Sequence, residues 1–433
     1  MRVSRTYILS DPTDFKQKML SWSQQFREIV YLDSNIDFNE NQKYKTFDAV
    51  LAIDAFTSLK TDFQNAFDDL KQYQQTTNDW IFGYLGYDLK NDLENLSSQN
   101  HDGLDFADLY FFQPKKIIFL NGNILEMQYL KLCDNDFESD FQEINDFEIN
   151  VFDAIQNDFN IEQRISKANY LEKIKTVLAH IQKGDIYEMN FCMEFFANNA
   201  IVNPLKKYFS LNEISRSPFS CFFKNNKHFL MSASPERYLK KANNLVVSQP
   251  IKGTSARFLD IEKDEFSKNN LLNNQKERSE NIMITDLVRN DLSKIAARGS
   301  VKVEALCEAY SFLQVHQLIS TITANIDEQF GVVDLLRATF PMGSMTGAPK
   351  IAAMKIIDSL ELSKRGLYSG AIGYFSPTAD FDFNVVIRSI LYNQDKKYVS
   401  FSVGSAITAL SVPENEYEEC LLKAKAMLKV LQY

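Results

Sequence analysis

Cysteine is scarce in this chain of 433 residues, and what there is lies badly for metal or disulfide work. The five are Cys133, Cys192, Cys221, Cys307 and Cys420. Their number is odd and no Cys-x-x-Cys pair occurs, which argues against a disulfide framework and against a zinc site. A reducing compartment fits that usage, so a cytoplasmic protein is expected. Positive charge is not in excess either. The 47 basic residues are outnumbered by 57 acidic ones, for a net charge of -10. No nucleic-acid partner is expected, because such binding needs a basic face to displace counterions. No anionic membrane surface is expected as a partner, and no apolar run approaches the length that spans a bilayer. The opening residues, MRVSRTYILSDPTDF, have no long apolar core before their first acidic residues, so a signal peptide is not expected. Internal repeats and low-complexity tracts are missing.

What is present is a large apolar fraction, 45%, with 34 phenylalanines. That suffices for one large or two ordinary domains. Residues 1 to about 130 mix short strands and helices, with Tyr84-Leu85-Gly86-Tyr87-Asp88 reading as a strand and turn. From Asp134 to Asn160 the composition shifts to Asp, Glu, Asn and Phe. This stretch reads as a linker or exposed acidic excursion, or as an amphipathic surface helix with Phe on one face. The boundary drawn there separates an N-terminal region, 1–150, from a second region, 160–433. Beyond it, 167–183 has helical periodicity and ends at Gly184, a suitable C-cap. Strands are expected at 186–197, 219–223, 228–232, 236–248, 301–304, 370–376, 383–392 and 398–403. Helices are expected at about 262–290 and at 331–339, 348–359 and 413–431. Strands grouped in runs, rather than alternating with helices, predict an α+β fold with antiparallel sheets.

Three local features carry chemistry. The first is Lys252, in PIKGTSAR, between Pro250-Ile251 and Gly253-Thr254. The preceding Leu245-Val246-Val247 reads as a short buried strand. A lysine at its end is either a desolvated amine with a lowered pKa, able to act as a nucleophile, or a snorkelling side chain. The neighbours alone favour the second. The next feature is a pair of glutamates three residues apart on each of two expected helices, Glu277 with Glu280 and Glu416 with Glu419. That spacing puts both members on one face, and Ser411 with Glu414 has a capping-box pattern at the start of the second helix. Such pairs are usually solvated; two facing ones would offer carboxylate oxygens to Mg2+. The last is FPMGSMTGAPK, Phe340 to Lys350. It fails as a phosphate loop, because Ile351 follows the lysine and Pro349 precedes it. It reads instead as a tight turn approaching a ligand or another strand, with Pro349 in the first turn of the next helix.

In order along the chain, GDIYEMNF, SPERYL, PIKGTSAR, ENIMITDLVRNDL, FPMGSMTGAPK, RGLYSGAIGY, VVIRSI and EYEECLLKAKA resemble the chorismate-utilising enzymes. That family takes in anthranilate synthase component I, aminodeoxychorismate synthase component I, and the isochorismate and salicylate synthases. The resemblance covers roughly Ser166 to the C-terminus. It implies an α/β sandwich around two large antiparallel sheets with the active site in the cleft between them. It implies Mg2+ on Glu280 and Glu419, supported by Glu277 and Glu416. Tyr368, Arg388 and Lys423 match positions that contact the pyruvyl side chain of chorismate, with backbone near Gly404 assisting. Thr254 and Gln317 fall at further substrate-binding positions, and Glu236 in SPER matches the candidate acid. Many relatives carry histidine where this chain has Gln317, which hydrogen-bonds but shuttles no proton. Gly404-Ser405-Ala406 has β-carbons where relatives often have glycines.

Two positions sort the branches. Isochorismate and salicylate synthases resemble each other in a lysine base where this chain has Glu188. Anthranilate synthases usually have alanine where Lys252 stands. A lysine there resembles aminodeoxychorismate synthases, in which it is the covalent nucleophile. The resemblance therefore implies conversion of chorismate to 4-amino-4-deoxychorismate, a precursor of 4-aminobenzoate and folate. The alternatives are anthranilate synthesis and a non-catalytic chorismate-binding subunit. No cysteine lies in a glycine-flanked elbow, so ammonia is expected from a separate glutamine amidotransferase subunit. The leucine-rich feedback motif of anthranilate synthases is not found.

Overall fold

The computed structural model describes residues 1–35, 43–149, 157–313 and 315–432. Its strands all pair antiparallel and form one hydrogen-bonded network. Two thirteen-residue strands, Ala49–Thr61 and Leu109–Asn121, pair along their length with a bulge between Ala55 and Thr57. They are the seam between two arms.

One arm runs from Leu109–Asn121 through Ile81–Leu85, Ala371–Phe375, Phe381–Val385, Arg237–Ala242 and Leu245–Gln249 to Val315–Asn325. Val315–Asn325 also pairs with Ile251–Ala256 and Lys302–Ser311. The other arm runs from Ala49–Thr61 through Glu28–Asp33, Phe219–Asn225, His228–Ser234, Ser389–Asn393 and Tyr398–Ile407 to Glu188–Ala197. The two expected sheets are thus present, continuous through the seam. Strands from either side of residue 150 pair directly, as Ile81–Leu85 does with Ala371–Phe375.

The sequence explains why both arms are deeply buried. Glu188–Ala197, EMNFCMEFFA, is buried along its whole length, so it carries apolar residues on both faces rather than alternating. Two apolar cores result. One gathers the helices Pro12–Trp22, Lys167–Lys183 and Pro413–Gln432 against the second arm. The other packs Ala66–Thr77 and Val332–Thr339 against the first.

Several expected elements are modified. Lys167–Lys183 is a helix capped by Ser166 and ended by Gly184 at φ +83°, as its periodicity predicts. The single helix expected over 262–290 is two, Ile261–Asn273 and Gln275–Ser293. Asn274 at ψ 112° breaks it, and its side chain accepts the Glu277 N–H to cap the second helix. The strand expected over 236–248 turns at Asn243, φ +53°, and that over 383–392 breaks where Arg388 takes φ +53°. Val315–Asn325 is a strand that the sequence reading omits. Phe137–Asn145 is an amphipathic helix burying Phe137 and Ile144, so the surface-helix reading holds for that part of the acidic stretch; residues 150–156 lie outside the described residues. Ser411 does not cap its helix. Its hydroxyl accepts the Thr408 N–H and faces the Ala406 carbonyl.

Candidate active site

The two arms meet at Lys252. It lies within Ile251–Ala256, one strand later than its apolar neighbours predict, and its Nζ donates to Glu188 Oε1 at 2.7 Å. Glu188 begins the strand Glu188–Ala197 of the opposite arm and is 1% exposed. The floor beneath Glu188 is set by Gly347, whose backbone crosses it. A β-carbon on Gly347 would lie 2.2 Å from the Glu188 carbonyl, and its φ is +149°. This is the close approach expected of the glycine-rich segment. Pro349 sits at the cap position and Lys350 opens the helix Lys350–Leu360.

The charge state of Lys252 differs from the sequence expectation. Burial does push its pKa down, but Glu188, Glu280 and Glu236 together hold it above the ordinary lysine value. The resting side chain is an ammonium. The apolar neighbours in sequence are outweighed by carboxylates that the fold brings from other elements. Neither the neutral-amine nor the snorkelling reading describes this state, because the side chain is buried and ion-paired.

Glu236 lies in the turn between His228–Ser234 and Arg237–Ala242, where the chain passes from one arm to the other. Its carboxyl is buried and pushed up to about 7, chiefly by desolvation, against a hydrogen bond from Ser344 Oγ at 2.6 Å and the charge of Lys252. A carboxyl poised there suits proton donation near neutrality.

The four glutamates divide between helices Gln275–Ser293 and Pro413–Gln432. Glu280 and Glu416 are buried, and Glu280 Oε1 and Glu416 Oε2 have no hydrogen-bond partner. Burial raises Glu280 to about 7, offset by Lys252 and augmented by the negative charge of Glu188. Glu277 is likewise raised by burial. Burial acts the same way on Glu419, but the adjoining Lys423 ammonium prevails and lowers it. Lys276 stands between the pairs, 3.1 Å from Glu416 and 3.7 Å from Glu280. Among the described residues no group of three or more His, Cys, Asp or Glu side chains is assembled as a metal cage. The donor chemistry nevertheless fits Mg2+, which takes one or two carboxylates and keeps its waters; two buried carboxylate oxygens lack hydrogen-bond partners, and one lysine offsets only part of their charge.

The expected substrate contacts are partly assembled. Lys423 Nζ donates to the Gly404 carbonyl at 2.8 Å, and Arg388 Nη1 donates to the Lys423 carbonyl at 3.3 Å. Among the described residues Arg388 makes no ion pair, and burial lowers its pKa. A desolvated guanidinium without a carboxylate is a demand for an anion. Tyr368 is buried, its hydroxyl 3.8 Å from Cys192 Sγ. A side chain at Gly404 would force its neighbours to shift, because a β-carbon would stand 2.7 Å from Cys192 Sγ and 3.0 Å from the Phe191 carbonyl. Gln317 is buried with Oε1 unpartnered and pairs in register with Thr254, which is exposed.

Sequence reasoning overlooked three contributors. Ser344 orients Glu236; its only signal was its place in the glycine-rich segment. Lys276 was legible as the i−4 neighbour of Glu280. Asn281 donates to the carbonyls of Lys252 and Leu318 at 3.3 and 3.0 Å, fixing the lysine strand on its helix. It follows Glu280 directly in the sequence and carried no separate signal.

A family model described as chorismate binding enzyme matches residues 18–429 of the chain. The chain is 35% identical over 381 residues to a chloroplastic aminodeoxychorismate synthase of Arabidopsis thaliana, covering 83% of this chain and 41% of that protein. It is 38% identical over 281 residues to aminodeoxychorismate synthase component 1 of Escherichia coli (strain K12), covering 64% of this chain and 61% of that one. In both cases it spans less than two thirds of the relative's length. Its fold is similar to a crystal structure of anthranilate synthase component I from Streptococcus pneumoniae TIGR4, with a TM-score of 0.79 at 24% identity, over 90% of this chain and 95% of that one.

Proposed function

The chain belongs to the chorismate binding enzymes, and from that premise we propose that it aminates chorismate to 4-amino-4-deoxychorismate, with Lys252 as covalent nucleophile. The observation that carries this reading is the contact between Lys252 and Glu188, in a cleft that also holds Glu236. A base for activating water is replaced by a carboxylate, and an amine stands where it can attack.

Each residue has a part in the proposed sequence. Arg388 and Lys423 bind the pyruvyl carboxylate, and Glu280 with Glu419, supported by Glu277 and Glu416, would hold Mg2+. That ion, when bound, would neutralise the ring carboxylate. Lys252 passes its proton to Glu188 and its lone pair bonds to ring carbon 2. The two ring double bonds shift, the carbon 4–oxygen bond breaks, and the hydroxyl leaves as water with the proton of Glu236. Ammonia then bonds to carbon 4, the double bonds shift back, and the bond from carbon 2 to Lys252 breaks. The new ammonium group returns a proton to Glu236, and Glu188 returns one to Lys252. Buried Gln317, whose Oε1 has no hydrogen-bond partner, would accept a substrate hydrogen bond; exposed Thr254 would act through the strand it shares with Lys252. Residues 1–150 serve as the N-terminal region of this fold and 160–433 supply the site.

The product serves 4-aminobenzoate and folate synthesis, and the ammonia comes from a separate glutamine amidotransferase. The proposed setting is cytoplasmic; among the described residues no helix is long and apolar enough to cross a membrane. Anthranilate synthase is the rival. Chromatography after incubation with chorismate, ammonium and Mg2+ separates them: a non-fluorescent aminodeoxychorismate peak supports the proposal, and fluorescent anthranilate overturns it.

A further inference from the structure

A cavity of about 480 Å³ lies on the second arm. There the turn between Phe219–Asn225 and His228–Ser234 meets the start of the helix Pro204–Ser215 and the end of Pro12–Trp22. None of its lining residues belongs to the Lys252 cleft. Its volume falls in the range of organic ligand sites, about 300–1,000 Å³. One water takes only about 30 Å³ of the liquid, so an inorganic ion would leave such a cavity mostly unfilled.

Three features of the lining point to an occupant. Ser21 lines the cavity, is 6% exposed, and its hydroxyl has no hydrogen-bond partner; buried polar groups are ordinarily satisfied. Lys224 and Lys227 form no ion pair among the described residues. Burial and the charge of Lys227 both lower Lys224, and its Nζ gives only one of three donors to the protein, to the Gln24 carbonyl at 2.6 Å. The helix Pro204–Ser215 adds to this positive field. Its first turn has no acidic residue and carries Lys206 and Lys207 instead, the wrong sign for the positive end of a helix dipole. The N–H of Leu205 lies in that turn, where backbone donors lack intrahelical partners. In a chain of net charge -10 this is a local reversal. Among the described residues the lining has one carboxylate, Glu148, and it is exposed, where solvent and salt screen it. Phe147, Phe229 and Leu205 supply the apolar wall.

We propose that this cavity binds an aromatic carboxylate with a polar ring substituent, its anion held by Lys224, Lys227 and the first turn of Pro204–Ser215, its ring against Phe147 and Phe229, and its substituent on Ser21. Each part answers one demand of the lining. A carboxylate offsets the charge of a partly desolvated lysine that has no countercharge. A ring fills apolar space that a bare ion would leave open. A hydroxyl on the ring satisfies Ser21 Oγ, which both donates and accepts. The site does not depend on the proposed amination, because it shares no residue with the cleft where that chemistry is placed.

The test is titration calorimetry on the full chain with 4-hydroxybenzoate as probe. Wild type is expected to bind it saturably, and the uncharged 4-hydroxybenzyl alcohol and inorganic phosphate each at least about tenfold more weakly. Lys224→Met/Lys227→Met is expected to weaken 4-hydroxybenzoate at least about tenfold. Ser21→Ala should weaken 4-hydroxybenzoate and leave unsubstituted benzoate unchanged. Arg388→Met, in the other cleft, should leave binding within about twofold of wild type. If the double lysine variant melts well below wild type, Lys227→Met replaces it, since Lys227 is exposed, and a several-fold weakening is expected. No saturable binding by wild type, undiminished binding by a folded lysine variant, or loss of binding in Arg388→Met would overturn the site. Phosphate binding as tight as that of the probe would overturn the aromatic assignment.

Discussion

Lys252 and Glu188 form an ion pair across the cleft, Nζ to Oε1 at 2.7 Å, with side-chain exposures of 10% and 1%. They come from opposite arms of the sheet network, so this contact both closes the cleft and sets the protonation state of the amine. Glu188 Oε2 has no partner. The carboxylate is thus free to take the lysine proton without losing all of its hydrogen bonding.

Breaking a buried pair leaves an uncompensated charge, a loss of about 3–5 kcal/mol. Glu188→Leu and Lys252→Met are both predicted to lower stability in urea by an amount of that order. The double variant Lys252→Met/Glu188→Leu is predicted to regain most of it while staying inactive. Additive losses in this double-mutant cycle would show that the pair is not coupled.

Glu236 sets the pH dependence. Its carboxyl titrates near 7 because it is buried, and the proposed chemistry needs the acid form. Turnover is predicted to fall as pH rises through about 7, and Glu236→Gln to lose activity by about 10²–10⁴-fold with that limb flattened. The sign for stability follows from the raised value: the neutral acid's contribution is complete below its ordinary pKa and is lost as pH rises through about 7. Thermal melts from pH 5 to 8 on wild type and Glu236→Gln test this, since the variant should show a shallower decline, the remainder belonging to Glu280.

The sequence order of eight motifs made the family legible, and Gly184, the helical periodicity of 167–183 and the apolar strands made much of the fold legible. The misses share a cause. Val315–Asn325 was overlooked because VHQLISTITAN sets its polar residues in pairs, His316-Gln317 and Ser320-Thr321, and so lacks the apolar–polar alternation of a strand, yet almost all are buried. The helix break at Asn274 hides in a segment whose composition is helical on both sides. Lys252 was misjudged because its pKa is decided by Glu188, 64 residues away, and by Glu280. Local apolar context fixes desolvation, and only the fold fixes the countercharge.

Metal binding has a readout apart from turnover. Buried Glu280 carries an unpartnered oxygen and a pKa near 7. In chelator at pH 8, Glu280→Gln is predicted to melt higher than wild type, because the desolvation cost of a buried carboxylate is removed. Added Mg2+ should raise the wild-type melting temperature and leave that of Glu280→Gln unchanged. An equal Mg2+ shift in both would exclude Glu280 as a ligand.

Gly347→Ala tests the floor of the cleft. The new methyl would meet the Glu188 carbonyl at 2.2 Å in a backbone region unfavourable to alanine. The strand pairing of Gly347 with Met189 must then open. Loss of chorismate binding by titration calorimetry is expected with a melting temperature lower by several degrees; wild-type binding would show that the approach is not required.

The most direct test is covalent. Chorismate labelled in its ring, incubated with the chain and Mg2+ but without ammonia, is predicted to leave a labelled peptide whose modified residue is Lys252, absent from Lys252→Ala and discharged on adding ammonium. A label that forms equally on Lys252→Ala, or no adduct during productive turnover, would contradict the account.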